Sequence, residues 1–187
     1  MKSFLLSLSV LSLLTIAACK RDDTPEPVEQ ELITTFRLII TDTGGTARTF
    51  DYRVQNGFGS TSPGTLDVDT VMLPANFSSK YDVEVRVLNE SVQPVDDLTD
   101  EIIAERDAHL FLYSVLPSNM RTKFLNGNFD GAGRPFNQKI ELYTTVADSG
   151  TFTVTLLHEP TNKSNPTPAT AGGETDAEAV FPYRIMP

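Results

Sequence analysis

The chain of 187 residues has no tryptophan, one cysteine, two histidines and four methionines. A single cysteine excludes an internal disulfide, so burial of Val, Leu, Ile, Phe and Tyr has to hold the folded part together. Positive charge is scarce: 15 Lys and Arg stand against 25 Asp and Glu, for a net charge of -10. A basic footprint is the first requirement for binding nucleic acid, and its absence excludes that class of partner. The same acidity would be repelled by an anionic membrane surface, so basic residues cannot provide membrane attachment. No apolar run reaches the roughly 20 residues that a membrane-spanning helix needs. The short signatures of catalysis are missing as well: G-x-S-x-G, the Walker loop, G-x-G-x-x-G and H-E-x-x-H do not occur. The chain therefore reads as non-catalytic.

What is present begins with the placement of that lone cysteine. Lys2 supplies a positive charge, Phe4 to Ile16 is apolar or small, and small residues lead into Cys19. This is the three-part layout of a secretory signal over residues 1–18. Ile16-Ala17-Ala18-Cys19 resembles the lipobox of bacterial lipoproteins. The resemblance implies an acylated Cys19 and removal of the signal before it. A buried structural thiol belongs in an apolar element, whereas Cys19 is followed by Lys20-Arg21-Asp22-Asp23. "CKRDD" also resembles the acidic export signal of Bacteroidota-type surface lipoproteins. That resemblance implies the outer membrane, on its periplasmic face or at the cell surface. "DDTPEPVEQE" then serves as a flexible acidic tether over residues 19–30, ahead of a single domain at 31–187.

The domain reads as strands. In "KYDVEVRV", Tyr81, Val83, Val85 and Val87 alternate with Asp82, Glu84 and Arg86. A period of two puts apolar groups on one face and charges on the other. "GTFTVTLLHE" repeats the pattern with Phe152, Val154 and Leu156 against β-branched threonines. Further strands are expected at 32–41, 48–54, 66–73, 109–116, 120–125, 138–146 and 177–185. Turn signals separate them: Thr43-Gly44-Gly45, Asn56-Gly57, Asn126-Gly127, Asp130-Gly131 and Asp148-Ser149-Gly150. Pro182 places the last strand at an edge or a bulge. "DDLTDEIIAERD" carries Leu98, Ile102 and Ile103 at helical spacing, with Asp97 or Thr99 as a cap, and predicts a helix over 99–107. The expected fold is an all-β, immunoglobulin-like antiparallel β-sandwich of about seven to nine strands with one short helix.

"ELITTFRL", "VLNES", "LTDEI", "AERDAHLF", "VTLLHEP" and "GGETDAEAVF" together resemble a family of short Bacteroidota-type lipoproteins. Its members often carry the label "type 1 periplasmic binding fold superfamily protein". That label implies two α/β lobes around a ligand cleft, an architecture for which this chain is too short and too rich in strands. The resemblance implies no established ligand and no catalytic residue; the expected role is that of a lipid-anchored envelope module for a protein, glycan or nutrient-uptake partner.

Three groups are candidate sites. Glu101, Glu105 and His109 recur every four residues and would share a face on a continued helix. His158 ends a strand in phase with Phe152, Val154 and Leu156. His109, His158 and Glu105 could therefore hold zinc, although each histidine also fits a strand end with one hydrogen bond. "NGNFDG" has the opening of a calcium loop, with Asn126, Asn128 and Asp130 at alternate positions. Its twelfth position is Asn137 instead of a glutamate, and the same residues build hairpin loops for local reasons. In "AGGETDAEAV", Glu174, Asp176 and Glu178 alternate and should form one solvated acidic row. The reading without a cofactor stands beside these zinc and calcium alternatives.

Overall fold

The structure, a computed structural model, describes residues 32–75, 79–117, 120–124, 128–164, 167 and 169–187. The signal, Cys19, the tether and Asn126-Gly127 lie outside these residues. One compact unit covers Glu31–Pro187. Its described residues form eleven strands and one helix: β1 (Thr35–Asp42), β2 (Ala47–Val54), β3 (Leu66–Val68), β4 (Val71–Pro74), β5 (Ser79–Asn89), β6 (Asp96–Asp97), α1 (Thr99–Ala104), β7 (His109–Leu116), β8 (Met120–Phe124), β9 (Lys139–Thr144), β10 (Asp148–His158) and β11 (Glu174–Met186). They make two sheets, ordered β3-β2-β1-β5-β9-β8 and β4-β11-β10-β7, with the two-residue β6 attached to β5. This is the all-β sandwich that the alternating pattern requires.

The core lies between the sheets. Phe36, Leu38 and Ile40 of β1 and Tyr81, Val83, Val85 and Val87 of β5 meet Phe152, Val154 and Leu156 of β10 and Phe181 and Tyr183 of β11 in one buried cluster. The outer face of the larger sheet carries cross-strand ion pairs. Arg37 binds Asp51 through two bonds of 2.8 Å, Lys80 lies 2.8 Å from Glu141, and Lys139 lies 3.1 Å from Glu84. Much of that face's charge is thereby paired in place.

Four expectations are corrected. The stretch 66–73 is two strands in two different sheets, broken at Asp69-Thr70. There the Asp69 carboxylate accepts a 2.8 Å bond from the Asp51 N–H, and the Asp69 N–H donates to the Asp51 carbonyl at 2.9 Å. These bonds hold the chain as it crosses, and β4 then runs parallel to β11. Asp148-Ser149-Gly150 is the start of β10 and not a turn. Gly150 has no side chain, and a Cβ there would collide with the Leu116 carbonyl oxygen. Pro182 is in β11, between β4 and β10, instead of on an edge strand. At Pro182 the strand is paired only to Thr151 of β10, and β4 joins one residue later at Tyr183. The missing N–H therefore costs no ladder bond on the β4 side.

The helix stops at Ala104, short of the expected 107. Leu98 occupies the cap position, and the Asp97 carboxylate accepts from the Thr99 N–H at 3.1 Å. Leu98 and Ile102 face the core and close one end of the sandwich. Beyond the helix, the Ala108 carbonyl accepts a 2.6 Å bond from the Glu159 N–H. The Lys163 ammonium donates to the Arg106 carbonyl at 2.7 Å. Pairing with β10 and a cation on the freed carbonyls end the helix before it can reach His109.

Candidate metal centre

His109 opens β7 and His158 closes β10, and the antiparallel register sets them directly opposite each other. Such pairs hold their Cβ atoms about 4.5–5.5 Å apart, and here the imidazoles stack with centroids 4.9 Å apart and planes 13° apart. Both histidines share parity with core residues of their strands, so they lie at the rim of the inner face.

The third member comes from β11. Opposite Leu156 and Leu157, β11 offers Ala177 and Thr175, and Asp176 is the extra residue between them. A bulge of this kind re-aims a side chain that strict alternation would send the other way. Glu178 stays on the exposed face, where Thr155 donates to it at 3.1 Å. Asp176 turns toward the histidines, with one carboxylate oxygen 3.8 Å from His109 Nε2 and the other 3.9 Å from His158 Nδ1. The expected acidic row of Glu174, Asp176 and Glu178 is thus broken. One potential ligand atom from each of His109, His158 and Asp176 lies within 4.8 Å of the others.

Glu105 does not take the expected place. With the helix ended, its backbone carbonyl, and not its carboxylate, meets His109: Nδ1 lies 3.2 Å from that oxygen. A carbonyl can only accept, so Nδ1 carries a proton, and in the neutral ring Nε2 presents a lone pair toward Asp176. Burial pushes the His109 pKa below its ordinary value, against the Glu105 carbonyl and the Asp176 charge, which pull it up.

The "NGNFDG" loop is not arranged as a calcium site among its described residues. Asn128 donates its side-chain amide to the Lys139 carbonyl at 2.7 Å, and Asn137 donates to the Phe111 carbonyl at 3.3 Å. Asp130 is an ion-pair hub. It accepts from the backbone N–H groups of Ala132 at 3.0 Å and Arg134 at 2.7 Å. The Arg134 guanidinium at 2.8 Å and the Lys163 ammonium at 3.0 Å complete it. Burial alone would raise its pKa, but these donors hold it at about 2.

Sequence reasoning found both histidines and placed Asp176 in a solvated acidic row instead of beside them. Their signal was strand phase, which survives as register. A bulge leaves no mark in alternation, and the only local hint is Gly172-Gly173 just before β11, both at positive φ. No protein-family model, no curated protein and no solved structure matches the chain.

Proposed function

We propose that the chain is a non-catalytic lipoprotein, anchored in the outer membrane through acylated Cys19, that serves as a binding or accessory module for a protein, glycan or nutrient-uptake partner. One observation carries the anchor: the lone thiol follows a short apolar segment and precedes the compact unit, which begins at Glu31. The buried apolar cluster begins at Ile33 among the described residues. One acyl chain gives only reversible attachment, and more than one makes it stable. Among the described residues no helix is long and apolar enough to cross a membrane. The sequence resemblance to short Bacteroidota-type lipoproteins supports the same placement.

A clickable palmitate analogue tests this reading. Wild-type protein expressed in a bacterial host should incorporate the label and partition into detergent, and Cys19→Ser should do neither. Equal labelling of both proteins, or of neither, overturns the anchor. The module's role is tested by pull-down from solubilised outer membrane, where recovery of an uptake receptor is expected. A second reading, a metal-binding accessory lipoprotein, is favoured by the convergence of His109 and His158.

A further inference from the structure

We infer that His109, His158 and Asp176 form a site for a borderline divalent cation of the zinc class, with the fourth coordination position open to water or to a donor from outside. This rests on the metal-binding reading, which it deepens with a third ligand, a metal class and an open position, and does not depend on the anchor.

The geometry points to a cation in three ways. First, three neighbouring strands deliver the set: β7 and β10 bring the histidines by register, and β11 brings the carboxylate by a bulge. Second, His109 is oriented as a metal-binding imidazole is oriented. Its Nδ1–H is held by the Glu105 carbonyl, which fixes the tautomer and aims Nε2. Third, one Asp176 oxygen lies 3.8 Å from His109 Nε2 and the other 3.9 Å from His158 Nδ1, beyond hydrogen-bond distance, and one potential ligand atom of each residue lies within 4.8 Å of the others.

The distances fit a site that tightens on loading. Zinc bonds of about 2.0–2.2 Å place tetrahedral ligands roughly 3.4 Å apart. The two histidine–carboxylate separations, 3.8 and 3.9 Å, exceed that by an amount that side-chain torsions absorb. The stacked rings are the part that must change. Two lone pairs in nearly parallel planes cannot meet at one ion, so one ring has to turn. His158 is the one free to do so, with its side chain 37% exposed against 9% for His109. Loading should therefore break the stack by moving His158 and leave His109 where it is.

Ligand chemistry sets the class. Two imidazole nitrogens and one carboxylate suit Zn²⁺, and Cu²⁺ or Ni²⁺ by the general order of affinity. Calcium and magnesium require oxygen-rich shells that these residues do not supply. Three protein ligands are one short of a closed structural zinc site. An external donor can complete the shell, which makes the site a place where a metal and a partner's side chain or a small chelating ligand meet.

Calorimetry with tag-free full chain tests the proposal, with zinc chloride as the probe and calcium chloride as the control. The expected result is one zinc per chain and no calcium heat. Affinity should fall at least tenfold in each of His158→Ala and Asp176→Asn. Imidazole ¹⁵N spectra of wild type provide a readout that needs no variant, because the chain has two histidines. Zinc should shift His109 Nε2 and His158 Nδ1 and leave His109 Nδ1 protonated. Absence of saturable zinc binding, retention of affinity in the His109→Ala/His158→Ala double variant, or coordination through His109 Nδ1 would each overturn the assignment. None of these readouts depends on Cys19, so failure here leaves the anchor reading standing, and failure there leaves this one.

Discussion

Asp130 and Asp176 are both largely hidden carboxylates, and they are used in opposite ways. The Asp130 side chain is fully buried, and two backbone N–H groups, a guanidinium and an ammonium surround it within hydrogen-bond distance. Asp176 is nearly as sheltered, yet toward the two histidines it stands at 3.8 and 3.9 Å, beyond hydrogen-bond reach. The two groups are linked through a short run of chain. Lys163 binds Asp130 and the Arg106 carbonyl, and His109 follows three residues later. A saturated buried cluster stabilises one arrangement of the chain. The other cluster brings one potential ligand atom from each of three residues within 4.8 Å, the convergence that a cation site needs. The contrast separates a structural hub from a binding site on the same stretch.

Removing the hub's cation should have the largest effect. Lys163→Met keeps the side-chain length and leaves the buried Asp130 charge with its two backbone N–H donors and one of its two cations, the Arg134 guanidinium. Removing one partner of a buried pair costs about 3–5 kcal/mol, and urea unfolding should show a loss in that range. A loss below about 1 kcal/mol would mean that Asp130 is not relying on Lys163. The corresponding change at the other cluster, Asp176→Asn, should be milder, because Asn keeps the shape of Asp and leaves both imidazoles in place.

Gly173→Ala strikes the link between bulge and histidine. Gly173 has φ +81°, and a Cβ there would collide with the His158 carbonyl oxygen and lie 2.9 Å from the Pro160 nitrogen. The expected cost is about 1–3 kcal/mol, read by urea unfolding. The His158 imidazole signals should move with it, since the colliding oxygen belongs to that residue. A neutral outcome would show that the approach to β11 can shift without disturbing the site.

Acid tests the hub without mutation. The folded pKa of Asp130, about 2, lies below the ordinary 3.8. Its contribution is therefore fully present above about pH 4 and is lost as pH falls toward 2. The shift corresponds to at most about 2 kcal/mol. Asp130→Asn should flatten the fall in stability between pH 4 and pH 2 by up to that amount, measured by urea unfolding across the range. An unchanged slope would assign the acid sensitivity to other carboxylates.

The parts of this architecture that depend on alternation could be read from the chain. Tyr81, Val83, Val85 and Val87 alternate in burial as they alternate in type, and His109 starts its strand where the phase begins. What could not be read depends on distant partners. Asp69 ends a strand because Asp51 captures it, and α1 stops because β10 and Lys163 claim the residues that follow. The histidines were recognisable as candidates through their phase with core residues. Asp176 was recognisable only as part of an acidic row, because a bulge reverses its facing through pairing with a strand twenty residues away in sequence. Glu105 had the right spacing for a helix that tertiary pairing then ended.

His158→Ala, measured without metal, should have the smallest effect of these changes. The side chain is 37% exposed, sits at the end of β10 and gives up a stacked pair at one rim of the sandwich. Stacked aromatic contacts contribute about 0.5–1.5 kcal/mol when buried, and exposure reduces that, so a loss within about 1 kcal/mol is expected by urea unfolding. The comparison with Asp130 makes the value informative. A residue that holds the fold together should cost several kcal/mol on truncation, as Lys163 should. A residue kept for binding should cost little until its ligand is present. Ligand linkage then separates the two cases, because a metal that binds only the folded state raises its stability. At a zinc concentration that saturates the wild-type chain, the melting temperature should rise in wild type and rise less in His158→Ala. A loss of several kcal/mol in the metal-free variant would make His158 a structural strand-end residue and remove the difference between the two clusters.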